Sequence, residues 1–286
     1  FNGHMFPTKR FDCEERQHEH VLRHLRVLDA CYADPNIAGC IAWCLFDYNT
    51  HKDFGSGDRI CYHGISDMFR LPKFAAYAYK SQCDVADEPV MQPVTFWARG
   101  ERCECLILPL IILTNCDEVE FKFGDYPTKR LKPAVEQFPH LPHAPIIIDD
   151  SIISVAEFGE WGMQWNTVEL RGFHNGKLVS ELKMPANPIA TKLRVKADYQ
   201  RLPANEKAAT RVTIEALDQA GNLLPFLDDI IQVSVTGPAK VIGPEQLVLK
   251  GGAVGVWLEA GKQRGDAVVT FTSRRLGSQT LTLMVE

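Results

Sequence analysis

Four side chains near the start of the sequence have a spacing that could hold a metal. His18, Glu19 and His20 are consecutive, and His24 follows His20 by four residues. A metalloprotease H-E-x-x-H motif beginning at His18 needs a histidine at the position that Leu22 occupies, and no third ligand is evident nearby. We therefore expect a solvated helix face here and no metal site.

The residues around Trp43 could instead bind a sugar. Trp43 lies in a continuous apolar run, residues 37–46, and a dense polar stretch follows it directly: Asp47, Tyr48, Asn49, Thr50 and His51. An indole ring can stack on the apolar face of a sugar, and closely spaced donors and acceptors suit hydroxyl recognition. Packing of Trp43 in a core is the alternative that the spacing leaves open. Residues 55–57, Gly-Ser-Gly, lack the lysine of a phosphate-binding loop and predict a flexible loop.

The elements that would position these residues alternate between helix and strand. Helical spacing of apolar residues predicts a helix over 13–33, and the run 37–46 lacks alternation, which is typical of a parallel strand covered on both faces. A polar loop over 47–62 and a helix over 72–82 follow. This order is typical of the last two units of a (β/α)8 barrel, whose post-strand loops carry the chemistry. A whole barrel takes about 250 residues, so the remainder is expected before Phe1 or in another chain.

From about residue 91 the pattern changes to short alternating strands separated by turn residues. Val119, Phe121 and Phe123 alternate with charged residues, and Asn175-Gly176 is a strong hairpin signal. Two sandwiches of about 100 residues fit this spacing. We predict a multidomain chain with a partial (β/α)8 TIM barrel over 1–90 and all-β sandwiches over 91–188 and 189–286.

Composition and charge exclude several classes of protein. The net charge is −5 and no basic block is long enough to track a phosphate backbone, so no nucleic-acid partner is expected. Apolar runs such as 105–113 are far shorter than the roughly 20 residues that span a bilayer, so no membrane contact is expected. The nine cysteines contain no C-x-x-C pair, which favours buried free thiols over disulfides or zinc. They slightly favour the cytoplasm over a periplasmic or secreted location.

Three stretches within the first 82 residues carry a resemblance. They are FNGHMFPTK at 1–9, GCIAW at 39–43 with FDYNTHKDFGSGD at 46–58, and YHGISDMFR at 62–70 with Pro72-Lys73. Together they are similar to the closing segment of a glycoside hydrolase family 2 catalytic barrel, in its bacterial β-galactosidase-like branch. The two sandwiches resemble the immunoglobulin-like domains that follow the barrel in many of these enzymes, although many sandwiches share such strand patterns.

The resemblance implies a retaining glycosidase, in which one carboxylic acid protonates the leaving oxygen and a second carboxylate attacks the anomeric carbon. Both glutamates are expected outside this chain, so we assign it no catalytic residue and expect it to be inactive alone. By resemblance Trp43 is the stacking platform and Asp47 and Asn49 contact sugar hydroxyls, while His4 is a pocket or structural residue. No cofactor or metal is expected.

The predicted function is therefore that of the C-terminal portion of a β-glycosidase hydrolysing terminal β-linked sugars, foremost β-galactosides. Its expected partners are the carbohydrate substrate and the remainder of the barrel, with a homo-oligomer left open. The alternative is a non-catalytic carbohydrate-binding or scaffolding module, since most of the chain has sandwich patterning without a dense polar cluster. With most barrel partners absent, residues 1–90 are expected to dock on the first sandwich, self-associate or be poorly ordered.

Overall fold

Most elements of the chain are β-strands. A computed structural model describes residues 6–53, 57–98, 107–154, 156 and 165–286, and within them two helices and eighteen strands. The chain divides into two compact units, Phe1–Ala186 and Asn187–Glu286. The predicted three-part division stays a prediction. No helix of the described chain has the length and apolar character needed to cross a bilayer.

Both helices predicted for the first unit are confirmed, the first expected from the spacing of its apolar residues and the second from Pro72 in its first turn. They are α1 (Glu14–Ala33) and α2 (Phe74–Lys80). Four apolar residues of α1 recur at helical spacing and were expected on one face. Val21, Leu25 and Leu28 are buried, whereas Tyr32 in the last turn is 52 % exposed. A single apolar stripe therefore orients α1 toward the interior.

The predicted solvated face of α1 is wrong, because His20 and His24 are buried. His24 Nδ1 lies 2.7 Å from the hydroxyl of Tyr79 on α2, and the Nε2 atoms of His20 and His24 are 3.1 Å apart. Burial is the main cause that lowers the pKa of both rings, to about 4 for His24. These imidazoles are therefore neutral at pH 7 and belong to the packing between the two helices.

The predicted strand over residues 37–46 is also wrong. Phe46 makes an isolated parallel bridge to Ser66, and the preceding residues are irregular. Ile41 is 90 % exposed and Leu45 57 % exposed. A strand inside a parallel sheet needs hydrogen-bonding neighbours and cover on both faces, and the described structure provides this segment with one bridge. A partial (β/α)8 barrel is therefore not shown by this chain.

Two sheets form a sandwich in the rest of the first unit. One has the order β3-β4-β7 and the other β6-β5-β8-β9. All pairings are antiparallel. The strands are β3 (Met91–Pro93), β4 (Leu110–Thr114), β5 (Glu118–Phe123), β6 (Lys129–Leu131), β7 (Ile146–Ile148), β8 (Val168–His174) and β9 (Lys177–Met184). The short strands β1 (Tyr48–Asn49) and β2 (Ile60–Cys61) form a separate antiparallel ribbon.

Strand β4 joins two cores because both of its faces are covered. Leu110 and Ile112 belong to the core between the two sheets, whereas Ile111 and Leu113 pack in a second core with α1 and α2. This division follows from the alternation of side chains along a strand. Of the three expectations for residues 1–90, docking on the first sandwich is the one that the structure shows.

The hairpin predicted at Asn175-Gly176 is confirmed. It joins β8 to β9, and both residues have positive φ angles, 50° and 72°. Such angles are those of the primed turns, whose twist matches that of a two-stranded ribbon.

The second unit is also a sandwich of two sheets. Their orders are β10-β12-β16-β14 and β11-β18-β17-β13-β15. Along β17 the buried residues Ala267, Val269 and Phe271 alternate with more exposed ones. The strands are β10 (Lys192–Ala197), β11 (Arg201–Leu202), β12 (Ala209–Leu217), β13 (Ile230–Thr236), β14 (Ala239–Ile242), β15 (Gln246–Val248), β16 (Ala253–Ala260), β17 (Gly265–Ser273) and β18 (Gly277–Val285).

Candidate functional site

The polar stretch after Trp43 is anchored by a buried ion pair. Lys73 Nζ donates to Asp47 Oδ1 at 2.6 Å, and both side chains are at most 1 % exposed. The same ammonium group donates to the carbonyl of Thr8 at 2.6 Å and contacts that of Tyr62 at 3.4 Å. The backbone N–H of Gly64 donates to Asp47 Oδ1 at 2.9 Å. The ion pair therefore connects four stretches of the first unit, around Thr8, Asp47, residues 62–64 and Lys73.

Burial dominates the electrostatics of this pair. Loss of solvent raises the pKa of Asp47 to about 6, although the charge of Lys73 acts in the opposite direction. Burial likewise lowers the pKa of Lys73, against the attraction of Asp47. Each charge is thus sustained by the other, and removing either would leave its partner buried and uncompensated.

Gly64 permits the close approach on which this arrangement depends. A Cβ atom there would overlap the backbone of Phe46 and Asp47. The Ser66 carbonyl accepts from the Asp47 N–H at 2.9 Å, and the Ile65 N–H donates to the Cys44 carbonyl at 3.0 Å. A glycine is therefore required where two loop backbones run side by side.

Trp43 lies on the exposed side of the same segment. Its side chain is 55 % exposed, and its Nε1 donates to the hydroxyl of Tyr48 at 3.1 Å. The two rings meet edge to face, with centroids 6.2 Å apart. We call Trp43 and Tyr48 the aromatic pair. The segment 43–49 therefore has a buried ion pair on its inner side and an accessible aromatic surface on its outer side.

The predicted site residues are thus only partly brought together. Trp43 and Asn49 are exposed, whereas Asp47 points inward to Lys73, so a sugar contact from Asp47 needs rotation away from that lysine. His4 lies outside the described residues. The predictions missed Lys73 as the partner of Asp47. The two residues are 26 positions apart, and no local signal in the sequence pairs them.

Two cysteine thiols, those of Cys44 and Cys61, lie near the aromatic pair. Burial is the main cause that raises the pKa of Cys44 to about 11, and its thiol donates to the Phe46 carbonyl at 3.1 Å. Cys61 is buried with its sulfur 2.7 Å from His63 Nδ1. Within the described ranges no three His, Cys, Asp or Glu side chains are grouped to hold a metal ion. The arrangement can bind a ring face, and it presents no activated carboxylate pair among these residues.

Comparison with known proteins assigns the family. The model of glycoside hydrolase family 2 C-terminal domain 5 matches residues 193–282. A β-galactosidase of Thermoanaerobacterium thermosulfurigenes is 54 % identical over 255 residues, 88 % of this chain and 36 % of the relative. A β-galactosidase of Rhizobium radiobacter is 48 % identical over 129 residues, 45 % of this chain and 94 % of the relative. The chain belongs to glycoside hydrolase family 2.

Longer relatives show how much of a family 2 protein the sequence represents. A β-galactosidase of Rhizobium meliloti is 48 % identical over 279 residues, which is 97 % of this chain and 36 % of the relative. The chain therefore spans about a third of the length of this relative and of the Thermoanaerobacterium one.

Solved structures share the fold at low sequence identity. A β-glycosidase from Bacteroides vulgatus matches with a TM-score of 0.68 and 18 % identity, over 91 % of this chain and 32 % of that chain. A β-glucuronidase from glycoside hydrolase family 2 matches with a TM-score of 0.66 and 16 % identity, over 94 % of this chain and 27 % of that chain. These likenesses show that the chain shares the fold of the matched parts of those structures.

Proposed function

We propose that this chain is the C-terminal portion of a retaining β-glycosidase that hydrolyses terminal β-galactosides. The observation that carries the proposal is the 54 % identity over 255 residues to a protein named β-galactosidase. In this proposal both catalytic glutamates come from polypeptide outside the sequence, and the chain supplies one wall of the sugar pocket. The two sandwiches are then the immunoglobulin-like domains that follow the barrel.

The exposed apolar segment supports a partial barrel over residues 1–90. Ile41, Trp43 and Leu45 are exposed, and Phe46 makes the one parallel bridge of this region. An apolar surface of this kind is typical of an interface whose partner is not present. We infer that the remainder of the (β/α)8 barrel covers Ile41 and Leu45 and supplies the missing strand neighbours.

Each part of the segment has a role in the proposed pocket. Trp43 offers its ring to the apolar face of the sugar, and the hydrogen bond from its Nε1 to Tyr48 restrains its orientation. Asn49 contributes amide contacts to hydroxyl groups. His4, which lies outside the described residues, stays a predicted pocket or structural residue. Asp47, paired with Lys73, holds the loop on which the aromatic pair sits. A direct hydroxyl contact from Asp47 stays a prediction.

The reaction then follows the two-step retaining mechanism. A carboxylic acid protonates the glycosidic oxygen as the leaving group departs, and a carboxylate forms a glycosyl-enzyme that water hydrolyses. The role of this chain is to bind and orient the sugar through the aromatic pair. Such positioning raises the rate only when the catalytic carboxylates are present in the same molecule.

The test uses the full-length gene product with a nitrophenyl β-galactoside. We expect hydrolysis, and we expect Trp43→Ala to raise KM about tenfold, which corresponds to the loss of an aromatic stacking contact worth about 1.4 kcal/mol. Tyr199→Ala is the matched control, because Tyr199 is an exposed aromatic residue on the second sandwich. An unchanged KM in Trp43→Ala would remove this residue from the pocket. Full-length protein that binds galactosides without cleaving them would favour the carbohydrate-binding module.

A further inference from the structure

Two cysteine sulfurs meet at the end of α1. The Cys31 thiol donates to the sulfur of Cys40, with the two Sγ atoms 2.9 Å apart. Both residues are partly exposed. Among the seven described cysteines, this is the pair whose sulfur atoms lie within hydrogen-bonding distance of each other.

The surrounding structure holds this pair in place. The chain reverses after α1 through Asp34, whose carbonyl accepts from the Ile37 N–H at 3.0 Å and whose Oδ1 accepts from the Asn36 N–H at 2.9 Å. Cys40 then packs against the core that α1 and α2 share. The contact between the thiols is therefore supported by a local turn and by a core.

We propose that Cys31 and Cys40 form a reversible disulfide, made by exchange with a low-molecular-weight disulfide such as oxidised glutathione. A disulfide bond is about 2.05 Å long, so the sulfurs need to approach by less than about 1 Å. The bond would close residues 31–40 into a covalent loop. It would also link residues 37–46, which contain Trp43, covalently to α1. This inference does not depend on the proposed sugar cleavage.

The exchange takes place in two balanced steps. The Cys31 thiolate attacks one sulfur of oxidised glutathione, whose S–S bond breaks, and the first glutathione leaves with the electron pair and takes up a proton. The Cys40 thiolate then attacks the Cys31 sulfur, and the second glutathione leaves in the same way. The two cysteines lose two electrons and two protons in total, and one oxidised glutathione becomes two thiols.

The order of attack follows from the acidity of Cys40. Burial, together with the hydrogen bond and charge of Cys31, raises the pKa of Cys40 to about 11. Since the thiolate is the attacking species, Cys40 is a poor first nucleophile at pH 7. It becomes effective once the mixed disulfide at Cys31 lies beside it. Formation is therefore expected to accelerate as the pH rises toward 11.

Peptide mapping of the intact chain tests the proposal directly. After oxidation with glutathione disulfide, cleavage before aspartates separates peptide 29–33, which holds Cys31, from peptide 34–46, which holds Cys40 and Cys44. We expect the two peptides to remain joined without reduction, at the summed mass less two hydrogens, and also in Cys44→Ser. Peptides that never join, or a link that Cys44→Ser abolishes, would overturn the proposal.

Two further readouts separate the pair from other thiols. In Cys40→Ser we expect Cys31 to accumulate one bound glutathione, since no resolving thiol remains. Closing a loop of this length is expected to raise the Tm of the first unit by about 5 °C in the oxidised wild type. Cys83→Ser should keep this redox-dependent shift and Cys31→Ser should lose it. An equal shift in Cys31→Ser would assign the effect to other cysteines.

Discussion

Two apolar runs of the first unit differ in secondary structure and in burial. Residues 110–114 form β4, where every residue is buried, whereas residues 37–46 are irregular and carry some of the most exposed apolar side chains of the described chain. The difference lies in their neighbours. Strand β4 pairs with β3 and β7 and is covered by α1 and α2, while the other run has one bridge, from Phe46 to Ser66. An apolar run therefore becomes a buried strand only when other segments pair with it and pack on its faces.

The buried ion pair between Asp47 and Lys73 directly follows the exposed run 37–46. We expect its disruption to give the largest mutational effect. Lys73→Met leaves the Asp47 carboxylate buried without its cation, so the free energy of unfolding should fall by about 3 to 5 kcal/mol in urea denaturation. The double variant Asp47→Asn with Lys73→Met removes both charges and should recover part of that loss. Equal losses in the single and double variants would contradict a role for the ion pair.

A matched pair of truncations sharpens the comparison between the two runs. Ile111→Ala opens a cavity beneath α1 and should lower the free energy of unfolding by about 3 kcal/mol. Ile41→Ala, at a position that is exposed in this chain, should change it by less than about 0.5 kcal/mol. Similar losses in both variants would break the comparison. In the full-length protein, the cost of Ile41→Ala should rise if barrel strands cover that side chain.

Acid titration distinguishes His24 on α1 from Asp47 in the ion pair, because the pKa shifts of the two groups have opposite signs. The pKa of His24 is lowered to about 4, so the unfolded chain binds the extra proton between pH 6.5 and 4 and stability is lost as the pH falls. The pKa of Asp47 is raised to about 6, so protonation favours the folded chain as the pH falls from 6 toward 3.8. Over its whole pH range, each group should change the free energy of unfolding by about 3 kcal/mol.

Urea denaturation at several pH values provides the measurement. His24→Gln should make the chain less sensitive to acid, and Asp47→Asn should make it more sensitive. Parallel pH profiles for the wild type and both variants would show that neither group titrates as its surroundings indicate.

The smallest effect is expected at the aromatic pair. Tyr48→Phe removes the hydrogen bond from Trp43 Nε1, and because Trp43 is half-exposed, water can replace the lost partner. The free energy of unfolding should change by less than about 0.5 kcal/mol by urea denaturation. A loss above about 1 kcal/mol would mean that this side of the segment is buried after all.

Local signals accounted for much of the fold and for part of the site. The spacing of Val21, Leu25 and Leu28 predicted α1, and Asn175-Gly176 predicted a hairpin that the φ angles confirm. Trp43 was identified as a candidate platform from its type and its place before a polar stretch. Lys73 was not identified, because nothing in the 26 positions that separate it from Asp47 indicates that the two side chains meet.

The amino-acid sequence by itself determined the family, the helices and the alternation of the sandwich strands, because periodicity and turn chemistry act over a few neighbouring residues. Tertiary structure alone decided which apolar run became a strand, that His24 is buried against Tyr79, and that Cys31 and Cys40 touch. The physical reason is that burial and sheet pairing belong to pairs of segments. Residues 37–46 have the apolar pattern of a buried strand, but with a single bridge they do not form one.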